Sequence, residues 1–426
     1  MLRSFRLTNH RSFRDEHELL LVPSYDNDHD VVPVAAVFGA NASGKSNLLD
    51  GLRLMSDLVR GWSTREPGSG IPRSPFRLEP ESLLEPSSFQ VELVLEGVPY
   101  AYGFAVDDEQ VTGEWLHTYP HGRRRMLFER ERSSIVFGST ITQRARAEVI
   151  EDLLTEDTLF LAMAARLKAE EFHPVVRWFH RSLLFVRPSP IWRRSNERLA
   201  RFVERSDSVR SKFLELARVA DFGISDIAVK YVDDPRALDE AEMLQEMAEE
   251  LETRLAGEDA EGRQDLEERL RRARMQVAAL LERSHRAKLL LTHGSAGFEL
   301  QDESEGTRLW LDLIPEIITS LDSGRILVVD EIDTSLHPLL VRKLVGLFRD
   351  PAVNVGRAQL LCTTHDAHLL APVAGEPGLD RDQVWFVEKH ANGASKLYPL
   401  TDFNPRTEHN LARRYLGGSY GAIPVP

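Results

Sequence analysis

Val34-Ala35-Ala36-Val37-Phe38 is an uninterrupted apolar run with the length of a buried parallel strand, and Gly39-Ala40-Asn41-Ala42-Ser43-Gly44-Lys45-Ser46 follows it at once. Across 46–59, Leu48, Leu49, Leu52, Met55 and Leu58 then recur at helical spacing. Strand, glycine-rich turn and helix in direct succession form half of a βαβ unit. The turn fits the pattern G-x-x-x-x-G-K-[ST] in the strand-to-helix context that the pattern requires. Its glycines let backbone N–H groups converge on phosphate oxygens, and the helix N-terminus adds partial positive charge. Lys45 is expected to reach the β and γ phosphates and the Ser46 hydroxyl to ligate Mg²⁺. Gly39, Asn41, Gly44, Lys45, Ser46 and Asn47 are therefore the expected nucleotide-binding residues.

A second apolar strand, Arg325-Ile326-Leu327-Val328-Val329-Asp330, ends in Asp330 and Glu331. A carboxylate at that point lies at the carboxyl edge of a parallel sheet, beside the phosphate loop. Asp330 is expected to hold Mg²⁺, directly or through water, leaving Glu331 to polarise an attacking water. His365 follows a third apolar strand, Gln359-Leu360-Leu361-Cys362-Thr363-Thr364, and so emerges at the same edge, in reach of a γ phosphate. His10, His173, His337 and His368 lack this strand-end placement and are assigned to packing or solvent.

Between these motifs, 61–86 is dense in Gly, Pro and Ser and reads as a loop, 89–106 alternates around Gly97-Val98-Pro99 like a hairpin, and further strands are expected up to Phe137. The stretch 144–219 reads as mainly helical, broken at Pro174, Pro188 and Pro190, and Phe222-Gly223-Ile224 opens a short extended segment. In 239–287, Leu244, Met247, Leu251 and Leu255, then Leu266, Leu270, Ala273, Val277 and Leu280, keep three-four spacing on both sides of 256–262. This predicts an antiparallel helical hairpin with arms of roughly 30 Å at 1.5 Å per residue. Glu-rich and Arg-rich arms are expected to pair with each other. A helix over 338–348 and a strand at Val384-Trp385-Phe386-Val387 complete the α/β pattern.

The chain of 426 residues is 42% hydrophobic and carries a net charge of −14, which excludes wholesale disorder and argues against indiscriminate coating of nucleic acid. Its one cysteine, Cys362, excludes an internal disulfide framework and zinc sites built on cysteine pairs. Neither a bilayer-spanning run nor an apolar leader is present in the sequence. A cytoplasmic protein is expected, with no membrane partner.

The arrangement resembles the ABC-type ATPases of the SMC, RecF and OLD group, and within it the RloA-like ATPases of bacterial antiphage and restriction-linked operons. The resemblance rests on Asn9-His10-Arg11-Ser12-Phe13, the segment 38–49, Glu303-Ser304-Glu305-Gly306-Thr307, the segment 327–338, Thr363-Thr364-His365-Asp366 and Tyr415-Leu416-Gly417-Gly418-Ser419-Tyr420-Gly421-Ala422-Ile423-Pro424. It implies a fold of α/β class: a P-loop NTPase, an ABC-type ATPase head with an antiparallel β segment and a helical insertion, a short coiled-coil hairpin. The segments expected are 1–60 with the P-loop, a β-rich 61–140, a helical 141–235, the hairpin 236–290, and 291–426 with signature, Walker B and switch histidine.

The resemblance further implies ATP and Mg²⁺ clamped between two copies, with Ser304 and Gly306 as signature residues facing the partner copy, Glu331 as catalytic base, Ser335-Leu336-His337 as the D-loop and His365 as the switch histidine. Glu305 departs from the family by replacing the first glycine of the signature. No glutamine is assigned to the Q-loop; Gln90 falls on an expected strand. The function expected is that of an ATP-hydrolysing switch. It forms a homodimer or higher homo-oligomer on ATP and controls a separately encoded effector, a nuclease or toxin, with nucleic acid or a phage component as trigger. The alternative is a RecF- or SMC-like DNA-binding ATPase of repair or maintenance, with Arg123, Arg124, Arg125, Arg193 and Arg194, beside Trp192, touching phosphates. A transporter motor is disfavoured, since the insertion and tail do not resemble such motors.

Overall fold

In this computed structural model the described residues are 1–25, 30–61, 70–167, 169–186, 192–221, 223–257, 260–334, 336–373, 376–405 and 410–423. The chain divides into one unit made of Met1–Arg187 with Thr319–Pro426, and a second made of Pro188–Ile318. The stretch 141–235 is thus shared between the two.

The first unit begins with β1 (Leu2–Thr8), β2 (His17–Leu20), β3 (Val34–Phe38), α1 (Lys45–Gly61) and a short α2 (Pro80–Leu84) inside the stretch read as a loop. There follow β4 (Ser87–Leu95), β5 (Val98–Val106), β6 (Val111–Thr118), β7 (Arg125–Glu131) and β8 (Ser134–Phe137), then α3 (Arg144–Asp152), α4 (Phe160–Arg166), α5 (His173–Arg181) and β9 (Leu183–Val186). Two sheets result. One is antiparallel throughout, in the order β2-β1-β4-β5-β6-β7-β8. The other contains β3, all five of whose residues are buried.

Leu48, Leu49, Leu52 and Met55 of α1 enter the same core as Phe5, Leu7, Phe89 and Phe104 of the antiparallel sheet and Val37 of β3. Each such side chain contributes roughly 1.5–3 kcal/mol by leaving water. Burial of α1 in this way fixes the height of the loop that precedes it.

The second unit holds α6 (Trp192–Val203), α7 (Asp207–Ala220), β10 (Ile224–Asp233), α8 (Pro235–Leu255), α9 (Ala260–Ser284), β11 (His285–His293) and β12 (Ala296–Glu299). Its strands form an antiparallel sheet in the order β10-β11-β12, and α8 with α9 makes the hairpin. Ala248, Leu251, Leu266, Leu270 and Ala273 are its seam. Among the described residues, the expected exchange of charge between the arms is largely absent. Arg274 reaches Glu252 at 2.6 Å, but Arg263, Arg269 and Arg272 pair with Glu267, Asp265 and Glu268 of their own helix. The i,i+4 partner is simply nearer than the opposite arm. The segment 258–259 of the intervening turn lies outside the described residues, as does Phe222.

Helix α10 (Glu305–Ser323) crosses the division of the chain at Thr319. The first unit then resumes with β13 (Ile326–Val329), α11 (Pro338–Arg349), β14 (Gln359–Thr364), β15 (Val384–Lys389), β16 (Ser395–Pro399) and α12 (Leu411–Leu416). The second sheet of this unit is therefore β16-β15-β3-β14-β13-β9, parallel from β15 to β9, with β16 as an antiparallel edge. Its last strand, β9, corrects the helical reading of 144–219, since Leu183-Leu184-Phe185-Val186 pairs with Ile326-Leu327-Val328-Val329 in parallel register. Four residues are too few for periodicity to separate strand from helix.

Gln359, nearly fully buried, joins the two sheets. Its Oε1 accepts from the Leu2 N–H at 2.8 Å and its Nε2 donates to the Leu2 carbonyl at 2.9 Å. On β15, Tyr415 and Tyr420 stack on Phe386 with centroids 5.5 and 5.7 Å away, and Tyr398 Oη donates to the Tyr420 carbonyl. The tail up to Ile423 is thereby packed onto the parallel sheet; Pro424 lies outside the described residues.

Candidate functional site

The carboxyl ends of β3, β14 and β13 place three loops side by side, and the polar residues singled out in the first unit stand on them. Gly44 has φ +116°, a left-handed value that strains any side chain. A Cβ there would lie 2.3 Å from Ser395 Oγ and 2.7 Å from Ser12 Oγ. At Gly39 a Cβ would lie 2.4 Å from the Val387 carbonyl oxygen. The pattern's two glycines are thus required by close approach of neighbouring chain.

Lys45 is buried, and its Nζ donates to the carbonyls of Gly39 at 2.8 Å and Ala40 at 3.0 Å. Burial lowers its pKa from the ordinary lysine value, against the pull of Glu331, Asp333 and Asp330. Asn41 is exposed at the tip of the loop, and Ser46 is exposed on the first turn of α1. Asn47 is turned the other way, donating through Nδ2 to Ser12 Oγ at 2.7 Å.

That contact accounts for the early segment around Asn9-His10-Arg11-Ser12-Phe13. Ser395 Oγ bonds Ser12 Oγ at 2.7 Å, and the Ser395 N–H donates to the Ser12 carbonyl, also at 2.7 Å. His10 Nε2 lies 3.1 Å from Asp50 Oδ2, which Arg11 Nε also meets at 2.5 Å. Asn9 caps nearby backbone, donating to the carbonyls of Ser82 and Glu85 and accepting from the Phe76 N–H. Ser12 and Ser395, absent from the residues expected from sequence, brace the phosphate loop from behind.

Asp330 Oδ1 accepts from Ser46 Oγ at 3.0 Å and from Thr363 Oγ1 at 2.6 Å. The Glu331 N–H donates to the same Thr363 hydroxyl at 2.7 Å. Glu331 itself adopts φ +49°, a left-handed value in a residue with a side chain, which costs about 1–3 kcal/mol, and its side chain is exposed. His365 is largely exposed. Its backbone N–H donates to Asp333 Oδ2 at 3.1 Å, and its Nδ1 lies 3.0 Å from that oxygen. Asp333 and Thr363 were also not singled out from sequence. Their signal is position: each sits at the carboxyl end of the strands that carry the named residues.

Of the D-loop segment, Ser335 lies outside the described residues, Leu336 is buried, and His337 Nδ1 accepts from the Leu339 N–H at the start of α11. Gln90 is on β4 and accepts from Trp115 Nε1. Ser304 and Gly306 belong to the second unit and are described within it. Ser304 Oγ accepts from the Thr307 N–H at 3.1 Å, so it caps α10, whose first turn contains Gly306. The preceding Glu303 is held by His293 Nε2 at 2.8 Å.

Of the arginines expected to touch phosphates, Arg123 is exposed. Arg124 pairs with Glu129 at 2.6 Å, and Arg125 bonds Thr140. The side chains of Trp192, Arg193 and Arg194 lie outside the described residues.

Residues 34–371 match the family model described as "AAA domain, putative AbiEii toxin, Type IV TA system". The chain belongs to this AAA family. The Gly39–Ser46 loop between β3 and α1, set in a parallel sheet, accords with the P-loop NTPase fold of such a domain. Among solved structures it is similar to the SMC head bound to the C-winged helix domain of ScpA, at 12% identity over 93% of this chain and 96% of that one, TM-score 0.42. It is also similar to the SMC head domain from Thermotoga maritima, at 14% identity over 93% and 98%, TM-score 0.39. A third is the Smc head domain with an extended coiled coil bound to the C-terminal domain of ScpA, from Pyrococcus furiosus, at 11% identity over 95% and 97%, TM-score 0.39. Among curated proteins nothing matches. No helix among the described residues of this AAA protein is long and apolar enough to cross a membrane.

Proposed function

We propose that this AAA protein binds ATP with Mg²⁺ at the edge formed by β3, β14 and β13 and hydrolyses it. The observation that carries the reading is the 3.0 Å approach of Ser46 Oγ to Asp330 Oδ1 beside the Gly39–Ser46 loop. Two oxygens bound in neighbouring positions of an octahedral Mg²⁺ at about 2.1 Å are themselves about 3 Å apart. The donor set is all oxygen, as a hard cation needs, and the ion supplies charge neutralisation for the phosphates. Lys45, leaving the two carbonyls it now meets, binds the β and γ phosphates. Gly39, Asn41, Gly44 and Asn47 shape and hold the loop around them. Glu331 accepts a proton from the attacking water, and His365 contacts the terminal phosphoryl group.

The reading extends to a second copy. Ser304 and Gly306, at the N-terminal end of α10, present a capped helix start of the kind that receives an anion. They are assigned to the nucleotide held by the partner copy, so that ATP closes a homodimer and hydrolysis opens it. Closure then controls a separately encoded effector, a nuclease or toxin, in cytoplasmic antiphage defence, with nucleic acid or a phage component as trigger. The toxin–antitoxin system in the family description supports this over the DNA-repair alternative. That alternative is further weakened by the engagement of Arg124 with Glu129 and of Arg125 with Thr140.

ATPase and sizing measurements on two variants test the reading. Lys45→Ala is expected to lose nucleotide binding. Glu331→Gln is expected to bind ATP, turn over at least about 100-fold more slowly, and accumulate as a dimer in ATP. Undiminished turnover in either variant contradicts the site; a Glu331→Gln protein that stays monomeric in saturating ATP contradicts the switch.

A further inference from the structure

Asp333 lies three residues beyond Asp330, in the turn that leaves β13, and His365 lies directly after the neighbouring parallel strand β14. Their environments are opposite. The Asp333 side chain is 5% exposed and that of His365 is 60% exposed. A single oxygen, Asp333 Oδ2, faces both the backbone N–H of His365 at 3.1 Å and ring Nδ1 at 3.0 Å. A backbone N–H can only donate, so Oδ2 is an acceptor at that point. Nδ1 meets this oxygen at ion-pair distance, where the carboxylate charge disfavours a bare lone pair on that nitrogen and favours hydrogen on it. The other carboxylate oxygen, Oδ1, is buried and has no hydrogen-bond partner. Such an atom is costly to bury, which makes the carboxylate a poor choice for packing alone.

We propose that Asp333 is a positioning residue for His365: it selects the tautomer protonated on Nδ1 and anchors the ring, so that Nε2 is the nitrogen presented to the terminal phosphoryl group. In the neutral ring Nε2 offers a lone pair, and in the imidazolium it offers a proton. Either way its direction is set from the buried side. The backbone contact at the same oxygen also ties the turn after β13, which carries Glu331, to the turn after β14. This rests on the reading of His365 as a phosphate-contacting group, and the test separates the two.

The tautomer is read on the wild-type protein without nucleotide, by long-range ¹H–¹⁵N correlation spectra of ¹⁵N-histidine-labelled chain at a pH where the ring is neutral. His365→Gln identifies the signal. The expected pattern is hydrogen on Nδ1; a pattern with hydrogen on Nε2 overturns the proposal whatever the chain does to ATP. Turnover is then compared for Asp333→Ala, His365→Ala and the double variant. Asp333→Ala is expected to lower kcat about 10- to 100-fold with KM within about twofold of wild type, and to add less than about twofold in the His365→Ala background. Equal factors in both backgrounds overturn the proposal. Asp333→Leu keeps the side-chain volume should the alanine variant fail to fold, removes the acceptor, and is expected to shift His365 toward the other tautomer. If wild-type chain fails to hydrolyse ATP, the ATPase reading falls while the spectra still decide the pairing.

Discussion

Thr363 and Asp330 meet side chain to side chain across the parallel pair β14 and β13, with Oγ1 2.6 Å from Oδ1. Both functions of the hydroxyl are used, since it donates to Asp330 and accepts from the Glu331 N–H. One threonine thus orients the expected metal ligand and the backbone of the expected base together. Thr363→Val keeps the shape and removes both contacts. Mg²⁺ dependence of ATP turnover should shift to about 10- to 100-fold higher concentration, with Thr363→Ser close to wild type. Superimposable Mg²⁺ titrations for the valine variant would remove Thr363 from this role.

Gly44 admits no side chain without displacing Ser395 and Ser12. Gly44→Ala should lose ATP binding by more than about tenfold, measured calorimetrically, while its circular dichroism spectrum stays native, because the clash is confined to the phosphate loop and its brace. ATP affinity equal to wild type would contradict the strain that a side chain meets at φ +116°.

Glu114 lies wholly buried on β6 and accepts from the N–H groups of Phe160 and Leu161 at the start of α4, and from Tyr102 Oη. Arg130 lies 3.9 Å away. Glu114→Ala leaves these donors unsatisfied and is expected to cost about 3–5 kcal/mol in urea unfolding. Burial, the largest influence, raises the Glu114 pKa above the ordinary glutamate value of 4.5. The folded chain therefore holds this proton more tightly than the unfolded one. Stability from that difference is full below the unfolded value and is lost as pH rises through the folded value. The stability of wild type relative to Glu114→Gln should accordingly fall as pH rises above the ordinary glutamate value of 4.5; a rise in that direction would reverse the assignment.

Cys362 is enclosed on β14, and burial pushes its thiol pKa up to about 12. Native protein at pH 8 should resist alkylation by iodoacetamide and be modified fully in denaturant, as followed by mass spectrometry. Rapid modification of the native chain would show that β14 opens.

The phosphate loop was legible because its chemistry is local: an apolar strand, two glycines, Lys45 and Ser46 are contiguous, so pattern and environment coincide. Asp330 and His365 were legible for a different reason, as each follows an apolar run that can only be a buried strand. Ser12, Ser395, Asp333 and Thr363 escaped because their roles depend on partners brought from other loops; Ser12 and Ser395 are separated by most of the chain. Strand β9 escaped because its four residues acquire strand character only from β13. The charge pattern of the hairpin misled in the opposite direction, since arginines with acidic residues four positions away are satisfied within α9.

The direct pairing of β9 with β13, although the whole second unit intervenes in sequence, imposes an order on biosynthesis. Leu183–Val186 leaves the ribosome roughly 140 residues before its neighbour, a delay of roughly 7–30 s at roughly 5–20 residues per second. During that interval the parallel sheet has no β13 or β14 against which nascent β9 can dock. Maturation of the nucleotide edge is consequently a late, post-insertion event, and a nascent chain stalled before Ile326 should carry an open, chaperone-accessible strand.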